Sequence, residues 1–172
     1  MFKSSSIFLF LVLLVGTTGA LSQQALKPGE AAPEFSGQGL DGNLYDLDQL
    51  HGKVVVLTFW STRCQICHSE IPNLNRVAER YRGKDVVFLA ATMDNEAKIN
   101  PYLQRNPFNF TILPNSFAVM LKYADKDRSG NINMGFPAHF LISRKGVIAM
   151  RTDGWDKAAN LDTQISRLLT AD

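Results

Sequence analysis

The chain has neither a strong charge imbalance nor a cluster of charge of one sign. Its 172 residues include 18 basic and 16 acidic side chains, which gives a formal net charge of +2. No basic stripe, charge run or internal repeat interrupts the sequence. Nucleic acid and anionic membrane surfaces are therefore poor candidates as partners.

The sequence also lacks an apolar run long enough to cross a membrane. The stretch from Ile7 to Val15 is unbroken but well short of the roughly 20 residues that a spanning helix needs. Small residues at Thr18 and Ala20 then suit a signal-peptide cleavage site. We expect residues 1–20 to be a cleaved signal peptide and the protein to be periplasmic. The alternative is a retained anchor that holds the protein on the membrane, facing the periplasm.

Cysteine is scarce, and its placement is informative. The chain has only Cys64 and Cys67, separated by two residues. Two cysteines in an exported protein ordinarily indicate a structural disulfide. Such a bridge stabilises mainly by closing a long loop, however, and this pair closes almost none. The spacing therefore favours dithiol–disulfide exchange, with a structural bridge as the alternative.

Hydrophobic patterning predicts one α/β domain after a flexible lead-in at residues 21–34. Continuous apolar runs at 53–60 and 86–92 predict strands covered on both faces, as in a parallel or mixed sheet flanked by helices. A hairpin is predicted at 35–45, a short strand at 111–113 and a second hairpin at 138–151. Predicted helices begin at Cys67, near Ala97, at Ser116 and near Lys157. In the third of these helices, Phe117, Met120 and Leu121 are expected to face the core.

The cysteine pair lies where a buried strand leads into a helix. A helix N-terminus presents free N–H groups and the positive end of the helix dipole, which favours thiolate over thiol. Cys64 is therefore predicted to be the attacking thiolate. Cys67, one turn further into the helix, is expected to be more buried and to resolve the mixed disulfide.

The segment Phe59-Trp60…Cys64-Gln65-Ile66-Cys67-His68-Ser69-Glu70-Ile71-Pro72 resembles the thioredoxin-like superfamily, in particular its exported TlpA/ResA-like thiol–disulfide oxidoreductases of the redoxin (AhpC/TSA) type. The likeness continues through the first hairpin, through Gly135-Phe136-Pro137-Ala138-His139-Phe140-Leu141-Ile142 and into the final helix. It implies a thioredoxin-like domain over residues 35–172. That domain has a central mixed β-sheet flanked by helices, with an N-terminal β-hairpin extension.

The resemblance also implies roles for individual residues. Pro137 would be a cis-proline facing the cysteines, in a loop that presents the Phe136 backbone to an extended substrate and shields the sulfurs from metal. Glu70 matches a functional acid of the family and would manage the proton of Cys67. Trp60 matches the aromatic residue beside the site and would contact substrate, or else serve as a core anchor. No cofactor and no bound metal are implied.

Three positions depart from the familiar pattern. Thr58 stands where thioredoxin has a buried aspartate, so that proton route is absent. Arg63 replaces the tryptophan that commonly precedes the first cysteine. It could favour the Cys64 thiolate or form part of a docking surface. The dipeptide Gln65-Ile66 lacks the frequent proline, so the reduction potential cannot be inferred from it.

The resemblance thus predicts an exported enzyme that exchanges disulfides with protein substrates. It would act as a reductant, as in cytochrome c maturation, and would be recharged by a membrane thiol carrier. An oxidant or isomerase of the same architecture is an alternative. So is a copper chaperone that uses Cys64, Cys67 and a histidine such as His139. A thiol peroxidase is disfavoured because Leu57 and Ser61 replace the proline and threonine of a peroxide pocket.

The sequence pattern of residues 125–133 matches the start of a calcium-binding loop. Asp125, Asp127 and Ser129 supply oxygen at its first, third and fifth positions, and Gly130 follows them. The position that requires a bidentate glutamate is Phe136, inside the proposed cis-proline loop. The pattern therefore favours a polar loop over a calcium site.

Overall fold

The computed structural model describes residues 25–127, 129–154 and 160–170. In the part of the chain that it describes, the elements of the main sheet and its helices are β3 (Val54–Phe59), α1 (Gln65–Arg80), β4 (Val86–Ala91), α2 (Glu96–Leu103), β5 (Thr111–Leu113), α3 (Phe117–Tyr123), β8 (Ala138–Ile142), β9 (Ile148–Asp153) and α4 (Leu161–Thr170). The five strands form a mixed sheet in the order β5-β4-β3-β8-β9. The strands β3, β4 and β5 are parallel, whereas β8 and β9 run antiparallel to their neighbours.

Two small antiparallel ribbons accompany the sheet. The first joins β1 (Ser36–Gln38) to β2 (Leu44–Asp46) and is followed by a 3-10 helix at Asp48–Leu50. The second joins β6 (Asp125–Lys126) to β7 (Ile132–Asn133), within the segment predicted to be a polar loop. The N-terminal hairpin extension and the mixed sheet flanked by helices are confirmed, and the fold is thioredoxin-like.

The central strand β3 is buried along its whole length because both faces of the sheet are covered. On one face, alternate residues of β3 pack with the apolar side of α1 and with Leu161 and Ile165 of α4. On the other face, the remaining residues pack against α3 and the N-terminal segment. The strand is therefore continuously apolar because both of its faces are covered, as the sequence predicts. The apolar residues that recur at helical spacing from Ile71 onward are all buried: Ile71, Leu74, Val77, Ala78 and Tyr81.

The core face predicted for α3 is wrong for Phe117, which is 51% exposed. Met120 is buried as predicted, and the partly buried Leu121 packs against the same core. The helix instead turns Tyr123 toward the sheet, where its ring contacts Phe59 and Phe140. In a helix of seven residues, two faces have similar apolar content, and this aromatic cluster selects between them.

The described part of the lead-in lies against the sheet. Ala31 forms a β-bridge with Val147, and the Gly29 N–H donates to the Ile148 carbonyl at 2.8 Å. The predicted signal peptide at residues 1–20 and the predicted start of the last helix at Lys157 lie outside the described residues. Within those residues, none of the helices combines the length and the apolar character that a membrane crossing requires.

Candidate active site

The two cysteines form a disulfide at the start of α1, with their Cα atoms 5.2 Å apart. Cys64 is the N-cap residue, and its Sγ accepts a hydrogen bond from the Cys67 backbone N–H at 3.1 Å. Cys64 remains partly exposed, whereas Cys67 is 2% exposed. The helix begins two residues earlier than predicted because the sulfur of Cys64 caps its first turn. Attack from solvent can therefore reach the first sulfur and not the second.

The loop before Cys64 is fixed by Asp94, a residue that the sequence reasoning missed. The Asp94 Oδ2 atom accepts hydrogen bonds from the Thr62 N–H and Oγ1, both at 2.9 Å, and from the Ser61 Oγ at 3.1 Å. Burial raises the pKa of Asp94, but the hydrogen bonds from Thr62 and Ser61, together with Lys98, outweigh it and hold the pKa below its ordinary value. The sequence did contain a signal for this role: Asp94 is an acid three residues after β4, at the end of the sheet where the neighbouring parallel strand β3 also ends.

The side chains of His68 and Trp60 pack within the protein beside the site rather than facing a substrate. The half-buried His68 ring donates its Nε2–H to the Thr62 carbonyl at 3.1 Å and packs on Tyr102, with ring centroids 4.6 Å apart. Trp60 is 1% exposed and contacts Tyr102 and Phe108. Its burial favours the core-anchor interpretation over direct substrate contact.

The Phe136–Pro137 peptide bond is cis. Pro137 directly precedes β8, whose first residue, Ala138, pairs with Phe59 at the end of β3. Because β3 leads into the cysteine loop, this register places the proline and the cysteines at the same edge of the sheet. Phe136 is partly buried and packs against the same apolar cluster as Cys64.

A buried polar chain lies beneath the cysteine pair, between α1 and the sheet. Glu70 is 8% exposed, and its Oε2 lies 3.0 Å from Nε2 of His139. His139 is completely buried, and its Nδ1 lies 3.0 Å from the Thr58 Oγ1. The predicted acid thus points inward, one helical turn after Cys67 and on the same side of α1. Its other oxygen, Oε1, is buried without a hydrogen-bond partner.

This arrangement leaves little for a metal ion to bind. Both ring nitrogens of His139 lie within hydrogen-bond distance of side chains, and the cysteine sulfurs are joined to each other. Among residues 25–127, 129–154 and 160–170, no group of three or more histidine, cysteine or acidic side chains is arranged so that it could hold a metal ion. The geometry gives the copper-chaperone alternative no ready imidazole ligand at His139.

A mixed sheet of this order, a CxxC pair that caps the first long helix and a cis-proline opposite it together define the thioredoxin-like class of redox folds. Within that class, the chain belongs to the AhpC/TSA family, whose sequence profile matches residues 28–151.

Named relatives cover most of the chain. It is 25% identical over 169 residues to the thiol-disulfide oxidoreductase ResA of Bacillus cereus, covering 93% of each protein. It is also 27% identical over 150 residues to the thioredoxin-like protein YneN of Bacillus subtilis, covering 81% of this chain and 84% of that protein.

Solved structures agree with the fold. A putative thiol:disulfide interchange protein DsbE from Chlorobium tepidum is 27% identical and superposes with a TM-score of 0.67, covering 84% of this chain and 99% of its own. A putative protein disulfide isomerase from Bacteroides thetaiotaomicron is 26% identical, with a TM-score of 0.70 and coverage of 85% and 92%.

Proposed function

We propose that this protein is an exported thiol–disulfide oxidoreductase that reduces disulfides of protein substrates through Cys64 and Cys67. The observation that carries the proposal is the difference between the two sulfurs. Cys64 is accessible and lies at a helix N-terminus, whereas Cys67 is buried one turn behind it. The names of the relatives and of the superposed structures support the same reaction.

The reaction proceeds in two exchanges. In the reduced protein, the Cys64 thiolate attacks a substrate disulfide, which forms a mixed disulfide and releases one substrate thiolate. Cys67 then loses its proton and attacks the Cys64 sulfur. This closes the Cys64–Cys67 bond and releases the second substrate thiolate. Two electrons pass from the dithiol to the substrate, and the substrate gains two thiols. Glu70 is the group proposed to receive the Cys67 proton.

The substrate reaches Cys64 along the edge of the sheet where Phe136 and Pro137 lie. The partly exposed Phe136 is proposed to offer its backbone to an extended substrate segment, and Pro137 to hold that loop in place. Export is proposed from the signal-like residues 1–20. The reductive direction, a part in cytochrome c maturation and recharging by a membrane thiol carrier are proposed from the resemblance to TlpA/ResA-like proteins.

Substrate trapping tests the exchange. The variant Cys67→Ala, expressed with its leader, should accumulate mixed disulfides with exported proteins that disappear under reducing conditions. The variant Cys64→Ala is the matched control and should trap nothing, because it lacks the attacking sulfur. If Cys67→Ala traps no protein, the proposed function is wrong. A reduction potential well below that of an oxidising periplasm, measured on wild type, would support the reductive direction. A high potential would contradict it.

A further inference from the structure

The buried chain Glu70–His139–Thr58 can exist in two protonation states that differ by one proton and share the same side-chain geometry. In the form with fewer protons, the Glu70 carboxylate accepts from the His139 Nε2–H, and the bare Nδ1 accepts from the Thr58 hydroxyl. With one more proton, both ring nitrogens of His139 carry hydrogen, and the Nδ1–H donates to the Thr58 oxygen instead. The hydroxyl only has to rotate, because it is both a donor and an acceptor.

The unpartnered Oε1 of Glu70 provides the entry point for that proton. A buried acceptor without a partner is costly, and its presence calls for a physical explanation. In the disulfide form, Cys67 has no S–H to donate. Reduction gives Cys67 a thiol one helical turn before Glu70, on the same buried side of α1. The missing donor therefore becomes available in the redox state in which a proton has to be held.

We propose that His139 is a positioning and proton-holding residue that, with Thr58, enables Glu70 to take the Cys67 proton during resolution of the mixed disulfide. The Cys67 S–H bond breaks and the proton passes to Glu70 Oε1, where the Glu70–His139 pair holds it. The Cys67 electron pair forms the bond to the Cys64 sulfur. The Cys64–substrate bond breaks, and the departing substrate thiolate finally takes up a proton. This inference rests on the proposed function.

The surroundings of His139 allow this chain to hold a proton. Glu70 faces His139 from α1 and Thr58 faces it from β3, while Thr152 is its register neighbour on β9. The apolar Leu161 and Ile165 of α4 belong to the core cluster that also contains Cys67. Because His139 is completely buried, water does not compete for its ring nitrogens.

A small disulfide reagent separates the two exchanges. Reduced protein mixed with one equivalent of DTNB releases one coloured thiolate when Cys64 attacks and a second when Cys67 resolves the adduct. In wild type, the second phase should change little with pH, because a base within the site accepts the proton. In His139→Gln, which keeps an N–H for Glu70 but cannot hold a proton, the second phase should slow roughly tenfold or more at about pH 6. It should approach the wild-type rate near pH 8, while the first phase stays within about threefold.

Two further variants complete the test. Glu70→Gln should show the same pH dependence as His139→Gln, and the double variant should be no slower than either single variant, because the two residues act as one unit. Thr152→Val is the matched control, since it changes a register neighbour whose buried hydroxyl has no hydrogen-bond partner, and it should retain the wild-type profile. A wild-type profile in His139→Gln overturns the inference. Failure of substrate trapping overturns the proposed function instead, because the DTNB phases do not depend on a physiological substrate.

Discussion

The Oδ2 atom of Asp94 lies 2.9 Å from the backbone nitrogen of Thr62, so the end of β4 holds the loop that leads into Cys64. The same oxygen also accepts from two hydroxyl groups. The geometry of the attacking cysteine is therefore set partly by a neighbouring strand, through a single carboxylate.

We expect Asp94→Asn to destabilise the oxidised protein by about 1–3 kcal/mol at neutral pH, because a neutral amide oxygen accepts hydrogen bonds more weakly than a carboxylate oxygen does. The ionised form makes the contacts and its pKa is lowered by them. The stabilisation is thus complete above the ordinary aspartate pKa of about 3.9 and is lost as the pH falls through the lower pKa of the folded protein. Denaturant unfolding at several pH values measures the difference.

The matched control for Asp94 is Asp85→Asn, because the Asp85 side chain is 67% exposed and lies 4.0 Å from its cationic partner. It should change the free energy of unfolding by no more than about 0.5 kcal/mol. An Asp94→Asn deficit that does not shrink as the pH is lowered below the ordinary aspartate pKa would contradict the linkage argument.

In the reduced protein, Cys64 should be alkylated by iodoacetamide at least roughly 100-fold faster than Cys67 at neutral pH. Both the exposure and the helix N-terminal position of the first sulfur act in this direction. Peptide mapping by mass spectrometry at short labelling times measures the ratio. Under denaturing conditions the two cysteines should label at similar rates. Equal labelling of the folded protein would count against the assignment of Cys64 as the nucleophile.

The carboxylate of Asp125 is bound by Arg151 at 2.7 and 2.8 Å, and both oxygens of Asp127 accept hydrogen bonds within its own turn. We therefore expect millimolar calcium to leave the melting temperature unchanged. Asp125→Asn should instead destabilise the protein by about 1–3 kcal/mol, because Arg151 is only 10% exposed and would lose its bidentate partner, keeping only Asp153 at 3.8 Å. Scanning calorimetry with calcium or chelator checks both. A calcium-dependent rise in the melting temperature that Asp125→Asn abolishes would instead support a calcium site.

A groove of about 420 Å³ beside the active-site loop is lined in part by the positively charged side chains of Arg63, Lys98 and Arg105. Arg63→Glu should slow the reduction of a disulfide-containing peptide rich in acidic residues by about threefold to tenfold at low salt. The difference should shrink at about 0.5 M salt, where charges are strongly screened. Arg76→Glu, an equally large charge change further along α1, is the control. Equal effects of the two variants, or no loss with Arg63→Glu, would argue against a local docking role.

Local patterns were sufficient to predict where the strands of the main sheet and the first three helices lie and how the cysteines are arranged. They did not predict the β6–β7 ribbon, which lies in the segment expected to be a polar loop. The CxxC, its helix and the inward face of α1 depend on residues close together in sequence. The cis-proline was predicted from resemblance, since an X–Pro pair alone does not specify its isomer. Seven residues were too few to fix the buried face of α3, because Tyr123 responds to aromatic partners on β3 and β8.

The partners of Glu70 could not be predicted from the sequence. Glu70 and His139 are 69 residues apart. They meet because β8 pairs antiparallel with β3, in a register that sets His139 opposite Thr58. A shift of that register by one residue would turn the imidazole to the other face of the sheet. The role of Asp94 was missed for a similar reason, since it depends on the parallel alignment of β4 with β3.

The N-terminal segment forms hydrogen bonds with part of each edge strand of the sheet, β9 and β5. Residues 29–32 bond to the start of β9, and the Leu40 N–H donates to the Ile112 carbonyl of β5 at 2.9 Å. Outermost strands with free backbone groups are templates for pairing with other chains. The same short stretch thus leaves less of each edge strand available for pairing with another chain. A shortened chain that began at Leu44 would uncover both edge strands at once and would remove Ala32 and Phe35 from the core, so aggregation should accompany a loss of stability.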